Sequence, residues 1–163
     1  MNFRVGIGYD VHVLKPGLDF NLGGIKINHD KGCVAHSDGD VLIHAICDAL
    51  LGAANLRDIG FHFPDTSADY KGIDSKILLD KTNTLLENQG YRISNIDSTI
   101  ILQKPKIKDQ IPDMIQVLAE VLGIEQNQVS VKATTSEGLG FEGREEGVSA
   151  LATALIYKTP ESE

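Results

Sequence analysis

Tryptophan is missing from the sequence, so leucine, isoleucine and valine must fill most of any interior. No apolar stretch approaches the roughly 20 residues that a membrane-crossing helix needs. The opening Met1-Asn2-Phe3-Arg4-Val5 runs straight into a strand pattern without the apolar h-region of a secretory signal. The expectation is a soluble, cytoplasmic protein; a processed organellar protein would share these features. Cys33 and Cys47 form no C-x-x-C pattern, and reduced thiols are expected rather than a disulfide or a metal pair. Positive charge is also scarce. A formal net charge of −8 lacks the basic stripe that general nucleic-acid binding requires. No internal repeat, low-complexity tract or linker interrupts the 163 residues, a length that suits one domain. That domain is expected over 1–158, with a short tail at 159–163.

What is present begins with mixed strand and helix patterns. Val5 to Val11 reads as an opening strand, and Phe20 to Ile27, broken by Gly23-Gly24, as a short hairpin or bulged strand. Asn28 to His36 reads as a polar loop. Ser37-x-x-Asp40 resembles a capping box, and Ile43, Ile46, Cys47, Leu50 and Leu51 follow at helical spacing. Further helices are predicted over Ser75 to Asn88, stopped by Gly90, and from Pro112 to Gly123. Ile96 to Gln103 and Val129 to Thr134 are strand-like. Val148 to Tyr157 reads as strand by its alternation, although its alanines favour helix. Without a regular βαβ repeat, the pattern predicts an α+β two-layer sandwich, with helices on one face of a small mixed sheet.

Several groups could carry chemistry. Asp10 and His12, at i and i+2 of a strand, project to one face, and His44 lies in the capped helix. A carboxylate and two imidazoles suit a borderline ion such as zinc and leave a fourth position open. Asp-x-His by itself is equally compatible with an ordinary polar surface. Asp40 and Asp48 flank His44 at i−4 and i+4, and either carboxylate is a candidate to orient its second ring nitrogen. Asp58 and Asp65 sit in a segment punctuated by Gly60 and Pro64; they are candidates for substrate hydroxyls, and turn chemistry alone also explains them. His62 has no evident partner. Lys104-Pro-Lys-Ile-Lys108 reads either as a solvated basic loop or as a positive ledge for a nucleotide. Val131 to Arg144 gathers Lys132, Thr134, Thr135, Glu137, glycines and Arg144 into one strand-to-loop transition, suited to phosphate oxygens and a hard divalent ion. It is not a Walker A loop.

Taken in order, these segments closely resemble the 2-C-methyl-D-erythritol 2,4-cyclodiphosphate synthases. The matching pieces are Gly8-Tyr-Asp-Val-His12, Ala35-His-Ser-Asp-Gly-Asp40 with His44, Asp48-Ala-Leu-Leu-Gly52, Asp58-Ile-Gly60, Phe63-Pro-Asp-Thr66, Pro105-Lys106, and Val131-Lys-Ala-Thr-Thr135 through Glu137 to Arg144. They cover nearly the whole chain. The resemblance implies a homotrimer with active sites between subunits. It implies zinc, or another first-row divalent ion, on Asp10, His12 and His44, and magnesium or manganese held by Glu137 and phosphates. Asp58, Ile59, Gly60 and Asp65 would bind the methylerythritol part, His36 and Ser37 would meet its phosphate, and Asp10, His12, Phe63, Pro64 and Glu137 would also be among the substrate-binding residues. Lys104, Pro105, Lys106, Ile107 and Lys108, with Ala133, Thr134 and Thr135, would bind cytidine and diphosphate, Lys132 would also bind substrate, and Phe141 and Arg144 match positions near the phosphates and a central cavity. Ser136 and Glu142 depart from the usual residues, and Glu142 adds negative charge beside a phosphate-facing loop.

The implied reaction is an intramolecular attack of one phosphate of a cytidine diphosphate-linked substrate on another, with loss of cytidine monophosphate. Two anions must be clamped together, which ions and pre-alignment accomplish. His36 and Thr135 match the positions that stabilise the transition state through donors aimed at phosphoryl oxygens. A zinc phosphohydrolase and a non-catalytic trimeric binding module are the competing readings. The first would release inorganic phosphate, and the second would bind ligand without turnover.

Overall fold

A computed structural model describes residues 2–158; the tail expected at 159–163 lies outside them. In chain order the elements are β1 (Phe3–Pro16), β2 (Phe20–Leu22), β3 (Ile25–Ile27), β4 (Lys31–Val34), α1 (Val41–Ala53), α2 (Ile59–His62), α3 (Ser75–Asn88), β5 (Tyr91–Ile101), α4 (Ile111–Leu122), β6 (Val129–Thr134), α5 (Gly140–Gly143) and β7 (Gly147–Lys158). Five strands form one sheet in the order β4-β1-β7-β5-β6, and β2 pairs with β3 as a separate hairpin. The β5–β6 pair is parallel and the other pairs of the large sheet are antiparallel. The architecture is the expected α+β sandwich.

Strand β1 overruns its expected limits at both ends because it has partners there. Phe3 to Val13 pair with β7, and Val13 to Pro16 pair with β4. β4 lies inside the segment expected to be loop. A side chain at Gly32 would sit 2.0 Å from the Asp19 carbonyl oxygen, so its bare backbone lets the chain pass there. The terminal apolar run is strand, as its alternation indicates. Its alanines follow from packing, since Ala150, Ala152 and Ala154 all point into the buried layer.

The first long helix starts later than its capping signal suggests. Asp40, not Ser37, is the N-cap, and its carboxylate accepts from the Ile43 amide at 3.0 Å. The same carboxylate accepts from the amides of Gly23 at 2.9 Å and Gly24 at 2.7 Å. Asp40 therefore joins the β2–β3 turn to the start of α1, and buried amides find an acceptor that the hairpin itself does not provide. Almost every residue of α1 is buried, because β1 and β7 lie beneath it and α3 covers it. Close approach on the β1 side depends on glycine. A Cβ on Gly6 would fall 1.9 Å from the Ala49 carbonyl oxygen, and one on Gly8 the same distance from that of Ala45.

Among the described residues nothing covers the sheet's other face. Val5, Ile7, Tyr9, Val11 and Val13 alternate along β1 with exposures between 42% and 72%, and Leu151 of β7 joins them. Isolated apolar surface residues are ordinary, but a continuous exposed row is unusual for a surface in contact with water.

Candidate metal centre and adjoining cavities

On the helix-facing side of β1, the row that begins with Gly6 and Gly8 continues as Asp10 and His12. The glycines hold α1 close enough for His44, in its first turn, to reach both. Asp10 Oδ2 lies 3.0 Å from His44 Nδ1 and 3.1 Å from His12 Nε2, and the two ring nitrogens are 3.1 Å apart. The imidazoles meet edge-on, with an interplanar angle of 82°. Among the described residues this trio is the cluster able to hold a metal ion. Three such atoms this close are held together by shared protons or by a cation between them. Donors about 2.0–2.1 Å from a tetrahedral ion stand roughly 3.3 Å apart, so small adjustments suffice to admit one.

The electrostatics agree. Burial opposes ionisation of Asp10, but hydrogen bonds and charge from His12 and His44 outweigh it and hold the carboxyl well below the usual range. Burial likewise opposes a charged His44, yet the hydrogen bond to Asp10, with the charges of Asp10, Asp40 and Asp38, raises it above the ordinary imidazole value. These groups attract a cation. Cys33, buried nearby, does not join them. Burial, then the charges of Asp40, Asp10 and Asp38, push its thiol up to about 12. Cys47, inside α1, is also pushed up to about 12, chiefly by burial.

The carboxylates expected to orient His44 are engaged elsewhere. Asp40 holds three backbone amides, and Asp48 accepts from the Ile59 amide at 2.8 Å. Burial raises both carboxyls, with the amide hydrogen bonds acting in opposition. His44 Nε2 instead faces two hydroxyls, Ser75 Oγ at 3.0 Å and Ser37 Oγ at 3.1 Å. Helical spacing brings Asp40 and Asp48 near His44 in sequence, but the fold turns the imidazole away from them and towards the start of α3.

A cavity of about 320 Å³ opens beside the trio, lined by His12, His36, Ser37, His44, Ile59, Gly60, Phe63 and Asp65 among others. Asp58, the N-cap of α2, and Pro64 belong to the same loop. Tyr70, Ile73 and Leu78 also line the cavity and carried no signal in the sequence. His62 turns away and meets the Leu56 carbonyl oxygen at 2.7 Å, a structural role.

A second cavity, about 240 Å³, is lined by Pro105, Lys106, Ile107, Lys108, Ala133, Thr134 and Thr135, with Leu102 and Ile111 added to the expected set. The Lys104–Pro105 peptide is cis. Lys104 pairs with Glu145 at 3.0 Å, and Lys132 pairs with Asp97, so both charges already have partners within the chain. Arg144 is similarly held by both carboxylate oxygens of Glu146 at 3.0 Å. Glu137, in the left-handed region at φ 55°, accepts from the Thr135 hydroxyl at 3.1 Å. Phe141 and Glu142 lie in α5, where Glu142 accepts from Ser149 Oγ at 2.8 Å.

Register fixes how the cavities relate. Asp10 pairs with Ala150, Ala150 with Ile100, and Ile100 with Ala133, forming one row across the sheet. Three strand spacings of about 4.8 Å place Ala133 roughly 14 Å from Asp10. On one chain the metal trio and the second cavity therefore stand level but apart.

Residues 3–157 match the YgbB family. The 2-C-methyl-D-erythritol 2,4-cyclodiphosphate synthase of Bacteroides fragilis is 62% identical over 158 residues, covering 97% of this chain and 99% of its own. That of Thioalkalivibrio sulfidiphilus is 59% identical, with 95% and 97% covered. Among solved structures, bifunctional IspDF from Campylobacter jejuni superposes with a TM-score of 0.93 at 39% identity; the match covers 97% of this chain and 43% of that longer one. Plasmodium falciparum IspF in its CDP complex gives a TM-score of 0.86 at 35% identity, with 98% of each chain covered. With nearly its whole length matched, the chain belongs to the YgbB family.

Proposed function

We propose that this chain converts 4-diphosphocytidyl-2-C-methyl-D-erythritol 2-phosphate to 2-C-methyl-D-erythritol 2,4-cyclodiphosphate and cytidine monophosphate, a phosphorus–oxygen lyase reaction of non-mevalonate isoprenoid precursor synthesis. The observation that carries this reading is the convergence of Asp10, His12 and His44 at the mouth of a polar cavity. It is supported by the names of relatives about 60% identical over almost the full chain. Residues 1–158 form the catalytic domain in this reading, 159–163 a tail, and the cytoplasm is its place. Among the described residues no helix is long and apolar enough to cross a membrane.

In the reaction an oxygen of the 2-phosphate attacks the phosphorus attached to the methylerythritol. A new P–O bond forms, the bond to the cytidine-bearing phosphate breaks, and cytidine monophosphate leaves with the bridging oxygen. The attacking phosphate is already ionised, so no general base is required. Asp10, His12 and His44 would hold a divalent ion, zinc or a neighbour in the first row, which would supply positive charge to the phosphates. Magnesium or manganese at Glu137 would serve the diphosphate in the same way. The chain's own residues hold the substrate. Asp58 and Asp65 accept from methylerythritol hydroxyls, while the segment Ile59, Gly60, Phe63 and Pro64 shapes that pocket. His36, Ser37 and Thr135 donate to phosphoryl oxygens. Pro105, Lys106, Ile107, Lys108, Ala133 and Thr134 receive the cytidine end; the solved relative in a CDP complex supports a nucleotide there.

Separation of the two cavities on one chain, together with the bare apolar row on β1, supports a homotrimer in which each active site combines residues of neighbouring subunits. Ile7→Asp places a charge on that row without touching the core. Light scattering on the eluting variant is expected to give monomer mass, with turnover falling in parallel. A variant that remains trimeric would remove this face from the interface.

The reaction itself is tested by supplying the substrate with zinc and magnesium and following phosphorus NMR. A cyclic diphosphate with equimolar cytidine monophosphate supports the proposal. Release of inorganic phosphate would make the chain a hydrolase, and binding without turnover would make it a carrier.

A further inference from the structure

The hydrogen bonds behind His44 have a direction. Ser75, the first residue of α3, donates its hydroxyl proton to Asp38 Oδ1 through a short contact, and Asp38 Oδ2 accepts from the Ser75 amide at 3.0 Å. The Asp38 carboxylate is also fixed from its own side, since Oδ1 accepts from the Asp40 amide at 3.2 Å. With its single proton committed to Asp38, the Ser75 oxygen can offer His44 Nε2 only a lone pair, at 3.0 Å. Nε2 must then carry a proton, so when a cation replaces the proton that Nδ1 shares with Asp10, the ring lone pair it meets is on Nδ1, the atom that faces Asp10 and His12. Ser37 cannot make this choice. Its hydroxyl accepts from the Gly39 amide at 3.2 Å but keeps a proton free, so it can meet either tautomer of His44.

We infer that Asp38 and Ser75 are positioning residues that set the tautomer and ring angle of His44, directing Nδ1 as a ligand atom to the metal position. A carboxylate acting on a ligand imidazole through an interposed hydroxyl differs from the direct carboxylate–histidine contact that is common behind metal sites. The arrangement is also a mechanical link. Asp38 precedes α1 and Ser75 opens α3, so the ring is referenced to both helices instead of to α1 alone. This inference deepens the proposed activity and rests on it for its purpose, but not for its test.

The test uses the full chain, purified without metal, and two variants, Ser75→Ala and Asp38→Asn. In the parent reloaded with zinc, long-range proton–nitrogen NMR is expected to show His44 with Nε2 protonated and Nδ1 free of a proton. Both variants are expected to shift His44 towards a mixture of tautomers and to weaken cobalt(II) or zinc binding by about 10- to 100-fold. Thermal denaturation of the metal-free proteins separates this effect from simple loss of fold. If Ser75→Ala does not fold, Asp38→Asn carries the measurement, because it preserves the size of the side chain. Unchanged metal affinity in a folded variant would overturn the inference. So would weakened affinity with the tautomer unaltered, which would leave Ser75 a purely packing role. A parent that binds metal with His44 in the stated tautomer yet makes no cyclic diphosphate would sink the proposed reaction and leave the positioning role standing.

Discussion

Replacing His44 with alanine is expected to lower cyclic diphosphate formation by about 10³-fold or more and to release the bound ion. The ion is asked to supply several kcal/mol of charge stabilisation, and a loss of about 4 kcal/mol corresponds to roughly that factor. With His44 gone, Asp10 and His12 remain on one strand as two donors, too few to hold a divalent ion in a site open to water. Folding should survive the change, because α1 is anchored from its N-cap by Asp40 and the imidazole itself contributes little apolar area. Asp10→Asn should lose activity to a similar extent while preserving shape, since it removes the negative charge that draws the cation in. Metal analysis and the phosphorus assay on the same samples provide the check. A His44→Ala protein that retains both a full complement of metal and the parental rate would mean that the ion sits elsewhere.

A large loss of stability is expected on substitution of Gly8. An added methyl would lie 1.9 Å from the Ala45 carbonyl oxygen, 2.7 Å from the Ala49 amide nitrogen and 2.9 Å from the Ala45 carbonyl carbon. These are backbone atoms of a buried helix and cannot swing aside, so β1 and α1 must separate. Overpacking usually costs about 1–3 kcal/mol. Here the clash is with rigid backbone, and the loss should exceed about 4 kcal/mol, a large part of a typical total of about 5–15 kcal/mol. Because Asp10 and His12 ride on that strand and His44 on that helix, the metal trio should open along with the fold. Gly52→Ala is the control within the same helix. Its Cβ would meet nothing nearer than the Ile7 carbonyl oxygen at 4.0 Å, and alanine in a helix gains about 0.5–1 kcal/mol over glycine. Urea midpoints should therefore move in opposite directions. A Gly8→Ala protein with the parental midpoint would contradict the close strand–helix contact.

How far the sequence discloses this structure depends on whether a feature is local. α3, α4 and β6 lie within a residue or so of their expected spans, because periodicity, a capping residue and a following glycine all act within a few residues. β4 and the ends of β1 depend on pairing with distant strands, so a four-residue strand in a polar stretch looked like loop. Ser37 and Asp40 are both good caps. The choice between them is made by Gly39, which turns the chain at φ 76°, and by hairpin amides that converge on Asp40. The metal trio was visible because i, i+2 spacing and a histidine in the first helical turn are local signals. Its surroundings were less so. Amides of Gly23, Gly24 and Ile59 claim the flanking carboxylates, and one of the two hydroxyls that reach His44 comes from 31 residues away. Lys104 and Lys132 looked free for phosphate, but Glu145 and Asp97 hold them.

Burial of the two thiols has a practical outcome. Sulfur reacts as the thiolate, and burial pushes both thiols far above their ordinary range, so at neutrality they stay protonated and unreactive. Alkylating reagents and mild oxidants should therefore pass Cys47 by in the native chain and label it only when α1 lifts from the sheet. Cys47, at the centre of that layer, thus carries a built-in clock: its rate of labelling counts the openings of the helix on which the metal ligand stands.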